Sequence, residues 1–302
     1  MSLFNSVVSR TIMHVPGPVV GFFAKDYIAG PHLEDSLRVS KQLNDEGMLT
    51  TIDILGEFIK TKDEALYFKK QCLQILDSID GRHLMSNLSL KPTQLGLELD
   101  RNFAYENIRD IVALAARKNN FVRIDMEDVP CTDDTLTFYR ALREEFPGAV
   151  GTVLQAYLRR TISDIGCLSG AKTNIRLCKG IYNESRMHAY KDMALINENY
   201  VYCLEKLFQQ KAYVGIATHD EKLVFEALRL IDKYELHKKD YEFQMLLGVD
   251  PELRRMLVDQ GHKLRVYVPF GESWLPYSKR RLKENPTLAG HALKQMLRRK
   301  AA

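Results

Sequence analysis

Long apolar runs are missing from this sequence: nothing approaches the ~20 residues that carry a helix across a bilayer. Paired cysteines are missing too. Cys72, Cys131, Cys167, Cys178 and Cys203 are odd in number, scattered, and form no Cys-x-x-Cys. That argues against a disulfide framework or a zinc site and fits reduced thiols in a cytosol-like compartment. No His-x-His occurs, and no second histidine stands at ligand spacing from His219, so no metal centre is expected. Neither Gly-x-Gly-x-x-Gly nor a Walker sequence is present, and there is no low-complexity stretch or obvious linker. No acidic residue precedes Asp26, as in transit peptides, yet the text from Pro16 runs smoothly into helical patterning. A retained N-terminus is therefore expected. Excess charge is scarce: +4 over 302 residues does not suggest a nucleic-acid binder.

What is there is ordinary globular material, 45% hydrophobic and 27% charged, with ample length for a large core. From Val19 to Asp45 apolar residues recur at helical spacing, which predicts one or two leading helices. After Gly47 the pattern changes. LTTIDILGEF is a β-branched run bounded by glycines and reads as a strand. Thr61 then caps KDEALYFKKQCLQILDSI, an amphipathic helix with acids in its first turn. The alternation repeats. LMSNLSLK, FVRIDME, VGTVLQAY, TNIRLCKG, AYVGIATHD, YEFQMLLGV and LRVYVPFG read as strands. AYENIRDIVALAARKN, TDDTLTFYRALREEF, AYKDMALINENYVYCLEKLFQQ, DEKLVFEALRLIDKY and PELRRMLVDQ read as helices between them. Roughly eight β–α units of about 30 residues each match a (βα)8 barrel. Strand–helix alternation of this kind demands parallel pairing with helical crossovers. A doubly wound sheet usually carries a Gly-rich fingerprint after its first strand, and none is found. The expected organisation is α/β: N-terminal helices over residues 1–46 packing on a barrel over residues 47–302.

Barrel chemistry sits at the C-terminal ends of the strands. Those ends carry Lys91, then Asp125 and Glu127, then Gln155 and Tyr157. Arg176, Lys179 and Tyr182 follow, then Thr218, His219 and Asp220, then Gln244 and Leu246, and last Tyr267. Singly, such polar groups are ordinary loop hydrogen bonders. Together they are cationic. The helix expected after the last strand adds Tyr277, Arg280, Arg281 and Glu284 at i, i+3, i+4 and i+7, on one helical face. Two adjacent arginines offer a multidentate grip on a carboxylate or phosphate. Buried arginines need a counter-charge, and Asp125 and Glu284 are available. Tyr182, Tyr267, Tyr277 and Leu246 can wall an anion site. The residues by themselves predict a barrel enzyme for a small anionic substrate, with a phosphate-bearing cofactor as an option. A Schiff-base aldolase using Lys179 and a non-enzymatic basic interaction module stay open.

YVPFGESWLPYSKRRLKEN, taken with NIRLCKGIY, FVRIDMED, VLQAY, IATHD and YEFQMLLGV, resembles the flavin-dependent proline dehydrogenases, most closely the short monofunctional bacterial type. The resemblance covers nearly the whole chain. It implies non-covalent FAD over a distorted (βα)8 TIM barrel and oxidation of L-proline to Δ1-pyrroline-5-carboxylate. It also implies electrons passing to a membrane quinone, from a cytoplasmic protein that touches the inner face of the membrane peripherally. Carried over, Arg280, Arg281 and Lys91 hold the proline carboxylate, with Asp125 pairing the arginine clamp. Tyr267, Tyr277 and Leu246 pack on the proline ring. Gln155 bonds the isoalloxazine edge and Arg176 lies by the flavin. Lys179, Gly180, Thr218 and His219 contact the pyrophosphate or adenosine. Met126, Ile181, Tyr182 and Glu284 complete the cofactor's surroundings. KGIYN departs from the aromatic-rich version of the long bifunctional enzymes, and Pro92 follows the lysine in SLKPTQLG, so the contacts at Ile181 and after Lys91 are the least defined.

Overall fold

The computed structural model describes residues 27–56, 59–168, 173–275 and 277–278. Arg280, Arg281 and Glu284 lie outside the described residues, as does the chain before residue 27. The β-branched and apolar runs form eight strands: β1 (Leu49–Ile54), β2 (Ser86–Leu90), β3 (Val122–Ile124), β4 (Val150–Gln155), β5 (Asn174–Cys178), β6 (Tyr213–Ala217), β7 (Tyr241–Leu246) and β8 (Leu264–Phe270). They pair in parallel, in chain order, and β8 returns to β1 from Leu49↔Arg265 to Ile54↔Phe270. Closure leaves no edge strand to protect. The expected (βα)8 barrel is the fold.

Helices α1 (Leu33–Asp45), α2 (Lys62–Gly81), α3 (Arg101–Arg117), α4 (Val129–Glu145), α5 (Thr161–Cys167), α6 (Met193–Gln209), α7 (Glu221–Lys233) and α8 (Pro251–Asp259) surround it among the described residues. Their starts follow capping chemistry. Thr61 Oγ1 accepts from Glu64 N at 3.2 Å while Glu64 Oε2 accepts from Thr61 N at 3.1 Å. Such a reciprocal box contributes about 1 kcal/mol. The sequence places no helix between β4 and β5, and α5 corrects this. Its seven residues are too few to display a helical period. Helix α6 starts at Met193, later than the apolar pattern alone suggests, because Asp192 caps it by accepting from Ala194 N and Leu195 N.

Side chains alternate across each strand, and the two faces differ. Outward residues such as Ile52, Leu88, Val122, Ile175, Val214, Phe243 and Val266 are fully buried against the helices and belong to one continuous core. Each such burial stabilises the fold by about 1.5–3 kcal/mol. Inward residues in register include Asp53↔Ser89, Ser89↔Arg123, Arg176↔Gly215, Gly215↔Glu242 and Gln244↔Arg265. Regular barrels fill this space with branched aliphatics. Here it holds a hydrogen-bonded polar network.

Helix α1 is the departure from regularity. Its approach is tied to the mouth end of β8 by Ala29 N to Pro269 O (2.9 Å) and Gly271 N to Gly30 O (3.0 Å). It packs along β8 and β1 and delivers the chain to the start of β1. It thus fills the groove that a helix following β8 would take in a regular barrel. The described residues just after β8 lie near the mouth instead. There Tyr277 is buried with Ile28 and Leu55, beside Trp274.

Candidate active site

The C-terminal mouth gathers Lys91, Asp125, Arg176 and Tyr267 into one bonded cluster. Asp125 follows β3, and its backbone N–H donates to Leu90 O at 2.9 Å, which fixes it beside the end of β2. Its Oδ1 accepts from Arg176 Nη1 at 2.6 Å and from Ser89 Oγ at 2.7 Å. Its Oδ2 accepts from Tyr267 OH at 2.9 Å and lies 3.9 Å from Lys91 Nζ. The Arg176 guanidinium stacks near the Tyr267 ring, 5.2 Å from its centroid. Burial raises the Asp125 carboxyl, but the charges of Arg176 and Lys91 outweigh it and hold the group below its ordinary value. Burial, with the Asp125 charge nearby, pushes the Tyr267 phenol well above its own. The tyrosine therefore stays a hydrogen-bond donor.

Lys91 is bonded to a residue the sequence reading missed. Asp53, fully buried on β1, takes the ammonium at 2.9 and 3.0 Å through its two oxygens. Burial raises Asp53 to about 6, against the opposing charge of Lys91 and with the like charge of Asp125. TTIDI sets one acid among β-branched residues inside a strand, which marks an inward-facing charge only once the barrel has closed. Gln244, named only as a strand-end residue, is the other addition. Its Oε1 accepts from Arg176 Nε at 2.6 Å.

The remaining expected residues ring this cluster. Gln155 Nε2 donates to Glu127 O at 2.9 Å. A carbonyl can only accept, so the amide orientation is settled and Gln155 Oε1 is the atom left for a ligand. Glu127 in turn accepts from Thr93 N at 2.9 Å and Thr93 Oγ1 at 2.6 Å, holding the short 3₁₀ turn that Pro92 opens. Lys179 Nζ donates to Asp220 Oδ2 at 2.8 Å. Thr218 Oγ1 accepts from Asp220 N at 3.1 Å. His219 Nε2 accepts from Leu246 N at 2.8 Å, which leaves the ring proton on Nδ1 in the neutral form. Met126 is buried; Ile181, Tyr182 and Leu246 are half-buried. Whether Asp125 also meets Arg280 or Arg281 lies outside the described residues.

The donor set fits a group that combines phosphates with a polar-edged ring. Arg176, within β5, and Lys179, just past the end of the same strand, bring positive charge to the mouth, and Arg176 leaves Nη2 uncommitted among the described residues. Gly180 has φ +108, and a Cβ there would stand 2.1 Å from the Tyr157 ring. Only glycine lets the backbone pass this close, so the loop after Lys179 hugs the mouth. Among the described residues, no group of three or more His, Cys, Asp or Glu could hold a metal. No described helix is long and apolar enough to cross a membrane.

Residues 36–292 match the family model described as proline dehydrogenase. Proline dehydrogenase 1 of Bacillus subtilis is 35% identical over 276 residues, covering 91% of each chain. Proline dehydrogenase of Deinococcus radiodurans is 32% identical, covering 91% of this chain and 90% of its own. Among solved structures, proline utilization A from Bdellovibrio bacteriovorus, inactivated by N-propargylglycine, superposes with a TM-score of 0.82 at 25% identity. That match covers 87% of this chain and 32% of the longer one.

Proposed function

The chain belongs to the proline dehydrogenase family and acts as an oxidoreductase of proline catabolism; we propose that it oxidises L-proline to Δ1-pyrroline-5-carboxylate with non-covalent FAD and passes the electrons to a quinone. The observation that carries this reading is the Asp125–Arg176–Tyr267 cluster at the barrel mouth, flanked by Lys91. FAD, when bound, would supply the chemistry that takes a hydride, and with it two electrons, from the substrate. Arg176, Lys179, Gly180, Thr218, His219 and the Oε1 of Gln155 would hold it, with Met126, Ile181, Tyr182 and Glu284 around them.

The chain's own residues bind and orient. Arg280 and Arg281, outside the described residues, take the proline carboxylate as a charge-assisted clamp, and Lys91 adds its charge. Tyr267, Tyr277 and Leu246 pack on the pyrrolidine ring and keep water from it. Asp125 fixes Arg176 and Tyr267 at once, so that one cation and one ring face the substrate in a set geometry. Arg176 brings positive charge to the place where electrons arrive. A mouth with Lys91 and Lys179 each bonded to an acid favours this over an exposed basic interaction surface. Quinone is lipid-soluble, so the protein would visit the cytoplasmic face of the membrane peripherally.

The test is turnover of L-proline by the FAD-loaded protein with a short-chain quinone in detergent solution. Steady turnover supports the assignment. Rapid turnover with oxygen or a nicotinamide, and none with any quinone, removes the quinone step.

A further inference from the structure

Gln244 is buried on β7, below the mouth, and bonds in two directions. Its Oε1 accepts from Arg176 Nε at 2.6 Å, and its Nε2 donates to Glu242 Oε1 at 2.6 Å. Glu242 and Gln244 stand two apart on one strand, so both face the barrel interior. Glu242 is itself anchored. Arg265 donates from Nε to its Oε1 at 2.7 Å and from Nη2 to its Oε2 at 3.0 Å, and Tyr213 OH donates to Oε2 at 3.0 Å. Room for this chain comes from Gly215, which lies in register between Arg176 and Glu242. A Cβ on Gly215 would stand 2.4 Å from Gln244 Nε2.

The direction of the chain follows from chemistry. A carboxylate only accepts, and a guanidinium only donates. Between them the Gln244 amide has one workable orientation: NH₂ toward Glu242, carbonyl toward Arg176. Arg176 is therefore gripped at Nε from below by Gln244 and at Nη1 from the side by Asp125, with the Tyr267 ring near its face. Two bonds in different directions fix the rotation of a planar group.

We propose that Gln244, oriented by Glu242, is a positioning residue that sets the plane of the Arg176 guanidinium at the mouth. The proposal rests on the reading of the mouth as a proline-oxidising flavin site. It adds that the alignment of that site's cation is set from the barrel interior, two residues below the end of β7.

The experiment uses the full chain with FAD and two variants. Gln244→Met removes both bonds at similar volume. The double exchange Glu242→Gln with Gln244→Glu restores the contact with Arg176: the carboxylate at 244 accepts from Arg176 Nε and from the amide at 242, whose oxygen still accepts from the Arg265 Nη2 side while the Arg265 Nε bond is given up. Three readouts are taken: kcat and KM for L-proline, the flavin reduction potential, and the side-chain Nε–H signal of Arg176 by ¹⁵N NMR. Gln244→Met is expected to lower kcat about tenfold to a hundredfold, the range for losing a hydrogen bond to a charged group. It should also move the flavin potential to more negative values and expose the Arg176 Nε–H to solvent exchange. The exchange variant should recover the protection of the Arg176 Nε–H. Wild-type kcat and potential in Gln244→Met overturn the proposal. So does a loss of activity that only tracks the unfolded fraction, or a folded exchange variant whose Arg176 Nε–H is no better protected than in Gln244→Met. A wild type that L-proline does not reduce sinks the functional reading instead. The Nε–H signal needs neither flavin nor proline, and still decides the positioning.

Discussion

Lys91 Nζ is 2.9 and 3.0 Å from the two carboxylate oxygens of Asp53, across the pairing of the first two strands. The Asp53 side chain is fully buried and that of Lys91 is 10% exposed. Removing one partner of such a pair leaves a charge in a poorly solvated place. Asp53→Ala should therefore cost about 3–5 kcal/mol of stability in guanidinium denaturation. Asp45→Ala, which removes the exposed partner of Lys41, should be lost in the measurement error. Equal effects at the two positions would mean that Asp53 is solvated.

The same carboxylate has a pH signature. Burial raises Asp53 from 3.8 to about 6, despite Lys91. The folded state then binds this proton more tightly than the unfolded state. The stability it confers is present below about pH 4 and is lost as pH rises to about 6. Asp125, held below its ordinary value by Arg176 and Lys91 in spite of burial, works the other way and loses stability as pH falls. Across pH 4 to 6, about one unit either side of the transition's centre, the stability of wild type should climb less steeply than that of Asp53→Asn. Parallel curves from denaturation series at each pH would contradict this.

Gly180→Ala should cost about 1–3 kcal/mol from its left-handed backbone alone, and more because the added Cβ would strike the Tyr157 ring. Purified Gly180→Ala should also retain less FAD. Gly148→Ala is the control: its φ is +89, yet a Cβ there meets nothing within 4 Å. It should lose stability from strain only and keep its flavin. Thermal midpoints and flavin content measure both. Full flavin occupancy in Gly180→Ala would detach this loop from the cofactor.

Lys179 is bonded to Asp220 at 2.8 Å, an ion pair and not a poised nucleophile. Lys179→Arg keeps the charge and loses the nucleophile, so it should keep partial activity. Borohydride should trap no substrate on the wild-type lysine. A trapped adduct at Lys179 would restore the aldolase reading.

The strands, the barrel order and the Thr61 cap were legible in sequence because each is a local signal: β-branched runs, a fixed repeat length, a Thr-x-x-Glu box. Lys91, Asp125, Arg176 and Tyr267 were legible as strand-end residues, and they do converge. Asp53 was not, because one acid in an apolar strand shows no pattern until the closed barrel turns it inward. Glu242 was hidden for the same reason, and Gln244 was legible only as a strand-end residue. Polar alternation on β7 suggests a face in water, and only closure reveals that the face lines the barrel. The Arg280–Arg281 clamp, read from helical spacing, falls outside the described residues.

Oxidation of L-proline on FAD at this mouth is tested most directly by anaerobic titration of the FAD-loaded protein with L-proline, followed in the visible spectrum. The oxidised flavin bands should bleach to completion, with the product released and the flavin recoverable intact on denaturation. A flavin that is bound yet stays oxidised at saturating L-proline would contradict the account.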